Sequence, residues 1–305
     1  MVLQGNIMQT VLITGGTGFI GKNLLPLLQK NNYNIIILTR NPEKYTDDFF
    51  FKHVEFISDL NALSSADIVI NLAGENLSNK RWSQSFKQKI FESRVASTIK
   101  LIDWITACEK KPHTFISGSA IGYYGSRADE VLTEQSAAGD NDEFQVALCQ
   151  NWELSAIRAE QSGVRTCLIR TGVVLGNEGA LQQILPPFKF GLGGKLGSGK
   201  QYFSWIHIHD QVNAIMHLIN NPKLEGVFNL TSPNPVTNMQ LTKTIGSVLK
   251  RPTFASMPGF ALKLIMGEMA NILLTGQQVI PQKLVESGFE FRYPDLQSAL
   301  EDLVI

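Results

Sequence analysis

TVLITGGTGFIG, from Thr10 to Gly21, decides the fold. Val11, Leu12 and Ile13 form a short apolar run rich in branched side chains and stopped by glycine, which reads as a buried parallel strand entering a tight turn. Gly16, Gly18 and Gly21 have G-x-G-x-x-G spacing, with Gly15 ahead of them. Gly16 suits the turn, Gly18 lets backbone approach a pyrophosphate, and Gly21 lets the next helix pack close to the strand. That helix, expected from Phe19 to Gln29, points free N–H groups and a positive dipole end at the phosphates. Gly15, Thr17, Gly18, Phe19, Ile20 and Gly21 are therefore the expected cradle of a dinucleotide.

Further strands follow in order. Asn34–Arg40 (NIIILTR) is the second, with Thr39 and Arg40 roughly 20 residues past the glycines, where an NAD-type fold carries an acidic residue for the ribose 2′-hydroxyl. A cation there, with Lys44 just beyond, suits a 2′-phosphate, so NADP is expected ahead of NAD. Val54–Ser58 is the third strand, ending at Asp59 and Leu60. Asp67–Ala73 is the fourth, and it puts Leu72, Ala73, Gly74 and Glu75 beside the cofactor. A helical pattern runs from Ser83 to Cys108 on Phe86, Ile90, Val95, Ile99, Ile102 and Ile105. These are core positions, with any remainder available to a homodimer interface. His113–Ser117 is a fifth strand, followed by Gly118-Ser119-Ala120 and a loop with Tyr123, Tyr124 and Gly125. A helix is expected over Phe144–Ser162 and a sixth strand over Thr166–Val174.

This alternation predicts an α/β fold with a doubly wound parallel sheet of Rossmann type. Residues 8–176 form the nucleotide-binding domain. Residues 177–305 complete it and add a smaller, mostly helical C-terminal lobe for substrate. In that second part, Gly191–Gly199 (GLGGKLGSG) reads as a flexible loop and a lid. His209–Ile219 is a helix with Asp210 near its start, Val227–Leu230 a strand, and Thr237 the cap of a helix reaching Leu249. Met1 to Gln9 reads as a leader ahead of the first strand.

Composition narrows the function. The 305 residues are 44% hydrophobic, enough for a sizeable core. Lys+Arg and Asp+Glu are both 27, and without net charge or a basic run a nucleic-acid partner has no support. Three cysteines, Cys108, Cys149 and Cys167, with no CxxC pairing fit a reducing cytoplasm. No apolar run approaches the ~18 residues of a membrane span, and no secretory signal is visible. His207 and His209 lack a third partner, so they read as structural and no metal is expected. Arg94 and Arg170 read as ion-paired structural residues. Trp82 suits a cleft wall and helix-start packing equally.

The TGGTGFIG turn and the strand-end NLAG resemble the extended short-chain dehydrogenases/reductases, the NAD(P)-dependent epimerases and dehydratases. NLAGENL at 71–77, SGSAIGYYG at 117–125, RTGVVLG at 170–176 and FKFGLGGKLGSGKQYFSWIHIHD at 188–210 look like an uncharacterised sugar-nucleotide epimerase-like branch of it, and the likeness spans nearly the whole chain. The resemblance implies an NADP-type cofactor, hydride transfer, and a small polar substrate, free or nucleotide-linked. It also implies Ser119 as the hydrogen-bonding serine of the site. It further implies a Tyr-x-x-x-Lys pair, which this chain lacks. Glu153 fits the family's glutamate four residues after that Lys, which puts Cys149 at the Lys place and Gln145 at the Tyr place. No tyrosine lies between Tyr124 and Tyr202. Tyr123 or Tyr124 is then the expected acid. The alternative is a non-catalytic NADP(H) sensor.

Overall fold

The computed structural model describes residues 8–304; of the expected leader, residues 1–7 lie outside them. A seven-stranded sheet forms the centre: β1 (Thr10–Thr14), β2 (Asn34–Leu38), β3 (Val54–Ile57), β4 (Ile68–Asn71), β5 (Thr114–Ala120), β6 (Arg165–Thr171) and β7 (Gly226–Leu230). All its pairings are parallel, in the order β7-β6-β5-β4-β1-β2-β3. The chain winds outward from β1 through β2 to β3, then returns to the other side of β1 as β4. That reversal opens a crevice above the C-terminal ends of β1 and β4, the place where such sheets bind ligands.

Alternation along the strands divides the core between two faces. Val11, Ile13, Ile35 and Ile37 face helices α1 (Phe19–Lys30) and, further along in sequence, Ile208–Asn220. Leu12, Ile36, Val69, Phe115 and Leu168 face the opposite layer, including Leu101, Ile102 and Ile105. Burial on both faces explains why these strands read as unbroken apolar runs rather than alternating ones.

Four elements depart from expectation. The helix read as continuous from Ser83 to Cys108 is α2 (Gln84–Phe91), a π-helical turn over Glu92–Ala96, and α3 (Ser97–Ala107). The helix expected to Ser162 is regular as α4 (Phe144–Ala156), then tightens to a 3₁₀ turn that ends at Gly163 with φ 74°. The sixth strand breaks at Gly172. A Cβ there would lie 2.7 Å from the Ser204 carbonyl oxygen, and residues Val173–Leu175 leave the sheet to pair with Trp205–His207. The glycine-rich stretch is no simple loop. Gly194–Leu196 is a strand paired with Ala255–Met257, and Gly191, Gly197 and Gly199 supply positive-φ turns around it. Several of its glycines thus serve close approach and turning.

The C-terminal segment is tied to the sheet by polar groups. Buried Asp210 accepts from the backbone N–H groups of Arg292 and Tyr293 at 3.0 and 2.9 Å. Asn229 on β7 donates to the Ile280 carbonyl at 3.0 Å. Thr237 and Gln240 form a reciprocal capping box at the start of Asn238–Leu249, as its sequence suggests.

Candidate cofactor crevice and its neighbouring polar network

The glycine turn is built for close approach. Gly15 has φ 72°, and a Cβ on it would sit 2.6 Å from the Leu72 carbonyl carbon, so only glycine fits against β4. A Cβ on Gly21 would sit 2.5 Å from the Gly16 Cα, which is why the first turn of α1 can begin so near β1. Gly18 differs from both. It is exposed, and a Cβ there would meet only the Gly15 carbonyl, at 3.3 Å. No side chain caps α1, and no acidic residue stands in its first turn. Its first N–H groups therefore lack protein partners and face the crevice, as an anion requires. Thr17 and Ile20 lie partly exposed on this turn, and Phe19 packs its ring against Gly176 and Gly179.

Across the crevice, Thr14 donates to Asn71 at 2.7 Å and accepts from the Ala73 N–H at 3.2 Å. Asn71 in turn donates to Thr98 at 2.8 Å. This buried chain fixes Leu72, Ala73 and exposed Gly74 beside the glycine turn. The Glu75 carboxylate pairs with Lys89 at 2.9 Å, and its hydrogen bonds from Lys89 and Asn79 hold it below the usual carboxylate range. Thr39 and Arg40 follow β2, with Arg40 exposed. Asp59 caps the turn at Leu60, its carboxylate accepting from Asn61 N–H at 3.0 Å. All these residues gather at one sheet edge.

The second region lies at the ends of β5 and β6. Ser119 is buried and donates its proton to Glu153 at 2.6 Å. Glu153 is gripped by Arg170 through two hydrogen bonds of 2.8 Å. Arg170 also donates to the Tyr124 hydroxyl at 3.0 Å, and Tyr124 donates to Asn229 at 2.7 Å. Tyr124 is fully buried, and burial pushes its phenol above the ordinary value against the pull of Arg170. A phenol sealed and committed in this way is not placed to protonate a substrate. Ser119, expected to donate to a reacting oxygen, spends that proton on Glu153. Tyr123 is partly exposed, with the Arg170 guanidinium 3.3 Å from its ring centroid. Cys149 is buried and its thiol is pushed up to about 12 by desolvation; Gln145 donates to Glu143. Neither can act as the absent Tyr and Lys.

Other residues resolve plainly. Trp82 packs on Phe144 and donates to the Leu77 carbonyl at 3.1 Å. His207 accepts from the His209 N–H, and its Nε2 faces Asp302 at 3.3 Å. Among the described residues no three His, Cys, Asp or Glu side chains gather closely enough to hold a metal, and no helix is long and apolar enough to cross a membrane. Arg170 is ion-paired as its sequence context suggests. Arg94 is not: among the described residues no carboxylate stands within 4.0 Å of it. The family motif locates Glu153 but not its partners: packing of α4 on the sheet brings it to Ser119 and Arg170, and the register of β6 and β7 brings Asn229 to Tyr124.

A doubly wound sheet with an uncapped helix start at its switch point defines a nucleotide-binding α/β protein of the extended short-chain dehydrogenase/reductase type. The model of the NAD dependent epimerase/dehydratase family matches residues 11–231, and a domain of unknown function matches 257–303. The chain belongs to that NAD dependent epimerase/dehydratase family. It is 40% identical over 99% of its length to an Arabidopsis thaliana chloroplastic protein, the SDR39U1 homolog of the epimerase family, covering 88% of that protein. It is 38% identical to the Bacillus subtilis epimerase family protein YfhF, covering 96% of this chain and 97% of that one. Among solved structures it resembles human epimerase family protein SDR39U1 (isoform 2), crystallised with NADPH, at TM-score 0.87 and 33% identity, over 96% of this chain and 98% of that one.

Proposed function

We propose that the chain is an NADP(H)-dependent oxidoreductase that exchanges hydride slowly with a small polar substrate, free or nucleotide-linked. The observation that carries this reading is the open face of Gly18 at an uncapped helix start, on the turn whose Gly15 packs against Leu72 and Ala73. Those groups suit the pyrophosphate, and the NADPH in the human relative supports the same assignment. Exposed Arg40, with Lys44 nearby, is the proposed partner of the 2′-phosphate. Thr39, Asp59, Leu60, Leu72 and Glu75 are proposed to line the adenosine and ribose side. The region 177–305 is proposed to supply the substrate lobe.

The cofactor supplies the hydride; the protein must supply a proton. Ser119 has its hydroxyl proton on Glu153 and lone pairs to spare, so it accepts from a substrate hydroxyl rather than donating to a carbonyl. Glu153 already accepts two donors of Arg170 and the Ser119 hydroxyl. Tyr123 is the one phenol of the pair left partly open, and it is the proposed acid. General acid catalysis contributes about 10²- to 10⁴-fold, and a phenol without a lysine beside it delivers the low end, hence slow exchange.

One observation favours a second reading, an NADP(H)-binding module without turnover. The Tyr and Lys places hold Gln145 and Cys149, and the whole β5–β6 end is consumed in a buried network. Single-turnover absorbance of bound NADPH against a panel of carbonyl compounds and sugar nucleotides separates the two. Substrate-dependent oxidation supports the enzyme. NADPH that binds and survives every substrate supports the module.

A further inference from the structure

The helix interrupted at Glu92–Ala96 carries the argument. The extra residue of the π-helical turn rotates Ser93 and Arg94 toward the end of β4. Ser93 accepts from the Glu75 N–H at 2.9 Å and donates to the Ile90 carbonyl at 2.8 Å, which anchors the turn. The Arg94 guanidinium then lies flat against Gly74: a Cβ on that glycine would be 2.8 Å from Cζ, 3.0 Å from Nη2 and 3.1 Å from Nε. On its other side it covers the Trp152 ring, 5.4 Å from the centroid. Trp152 is one turn along α4 from Cys149, so Arg94 hangs over the helix at the place where a cation is otherwise missing.

Its donors are nearly idle. Nη1 makes two long contacts of 3.4 Å, to the Ile90 carbonyl and the Ser93 hydroxyl. Nε and Nη2 make no hydrogen bond to any described residue, and neither is among the sealed polar atoms. Glu75, next to Gly74, is already held by Lys89. Burial lowers the guanidinium's pKa from its ordinary value, though it stays charged. A half-buried cation with two free donors in a fixed fork, facing a ligand crevice, is poorly explained as a structural residue. Arg170, on β6, shows what a structural arginine looks like here: both edges are filled.

The geometry points to Arg94 as an oxyanion-binding residue of the crevice, its Nε–H and Nη2–H taking a phosphate or carboxylate oxygen presented above Gly74. This rests on the NADP(H) reading given above for what fills the crevice, and extends it to a residue outside every motif. The oxyanion has two sources, the cofactor's diphosphate or an acidic group on the substrate. Gly74 is part of the site on this account, because any side chain there would displace the guanidinium.

The test uses the full chain as wild type, Arg94→Met and Arg94→Lys. Methionine keeps the contact with Trp152 and removes the charge; lysine restores the charge without the fork. NADPH is titrated by calorimetry, and inorganic phosphate by phosphorus NMR, onto free and NADPH-loaded protein. If the cofactor supplies the oxyanion, Arg94→Met weakens NADPH about tenfold to hundredfold and Arg94→Lys recovers part of it. If the substrate supplies it, NADPH affinity holds, while phosphate binding to the loaded protein is lost in Arg94→Met and kept in part in Arg94→Lys. If both ligands bind all three proteins within about twofold while the melting temperature falls in Arg94→Met, Arg94 is structural and the inference is overturned. Should wild type bind no NADPH, the functional reading fails separately, and phosphate binding to the free protein still decides the role of Arg94.

Discussion

The crevice between β1 and β4 and the network at the ends of β5 and β6 sit side by side on one sheet, yet they solve opposite problems. The first leaves its polar groups open: the N–H groups of α1 are uncapped, Gly18 is bare, Arg40 is unpaired among the described residues. The second closes every group on another: Ser119 on Glu153, Glu153 on Arg170, Arg170 on Tyr124, Tyr124 on Asn229. Open donors in a crevice suit a ligand. A closed buried chain holds strands in register, and removing one member leaves its neighbours desolvated and unmatched. The difference explains how a chain can keep its cofactor half and lose the usual acid–base pair of the other half without unfolding.

If the network is structural, Arg170→Met leaves the Glu153 charge buried alone, which costs about 3–5 kcal/mol. Thermal denaturation should show a fall of roughly 10 °C, while NADPH affinity at 25 °C stays within about twofold. A large loss of NADPH affinity in the folded variant would merge the two regions and break the comparison. Next in size is the proposed acid. Tyr123→Phe should slow single-turnover hydride transfer by about 10²-fold or more. Tyr124→Phe should lower the melting temperature, since Arg170 and Asn229 each lose a partner, and leave the rate of the folded protein alone. A rate that tracks Tyr124 instead would mean that the sealed phenol opens. On the cofactor side, Arg40→Ser removes one charge-assisted contact of roughly 1.5–3 kcal/mol. NADPH should weaken about tenfold to hundredfold and NADH should not change; equal loss for both cofactors would move the 2′-phosphate elsewhere.

The smallest effect is in pH. Desolvation lowers the pKa of His113, His207 and His217 in the folded protein. The unfolded chain then takes up protons first as pH falls below the ordinary histidine value of about 6.5. Stability present above that pH is lost as pH drops through it. Glu134 and Glu160, raised by burial, act with the opposite sign, but nearer the carboxylate range. Melting temperature should decline by a few degrees between about pH 7.5 and about pH 5.5, and less in His207→Gln. A flat profile would show that the imidazoles stay solvated.

The open region is the one that can be read from sequence. Its chemistry is carried by backbone and glycine, whose spacing from Gly15 to Gly21 is local, and its strands announce themselves by unbroken apolar runs such as Ile35–Ile37. The closed region is assembled from four separate segments, so the partners of Glu153 and Asn229 show only once α4, β5, β6 and β7 are packed together. Arg94 is the instructive case. The apolar stripe Phe86, Ile90, Val95, Ile99 steps by four, five and four residues, and the step of five is the mark of the π-helical turn. A helix read with one uniform period hides it, and with it the residue it turns toward Gly74. The glycine-rich segment misleads for a different reason: glycine is equally at home in a mobile loop and in a strand such as Gly194–Leu196, where another backbone comes too close for a side chain.

NADP(H) is proposed to sit at the start of α1, held by the uncapped N–H groups that follow Gly18 and admitted by the bare Gly18 itself. Gly18→Ala tests this most directly, because the added methyl would meet the protein only at the Gly15 carbonyl, a tight 3.3 Å, and would otherwise stand in the way of a pyrophosphate. Calorimetry of NADPH on the wild type and on Gly18→Ala should show one site, weakened about tenfold or more by the methyl group, while the melting temperature of the ligand-free protein falls only slightly. Undiminished NADPH binding to Gly18→Ala, or no binding to the wild type, would contradict the account.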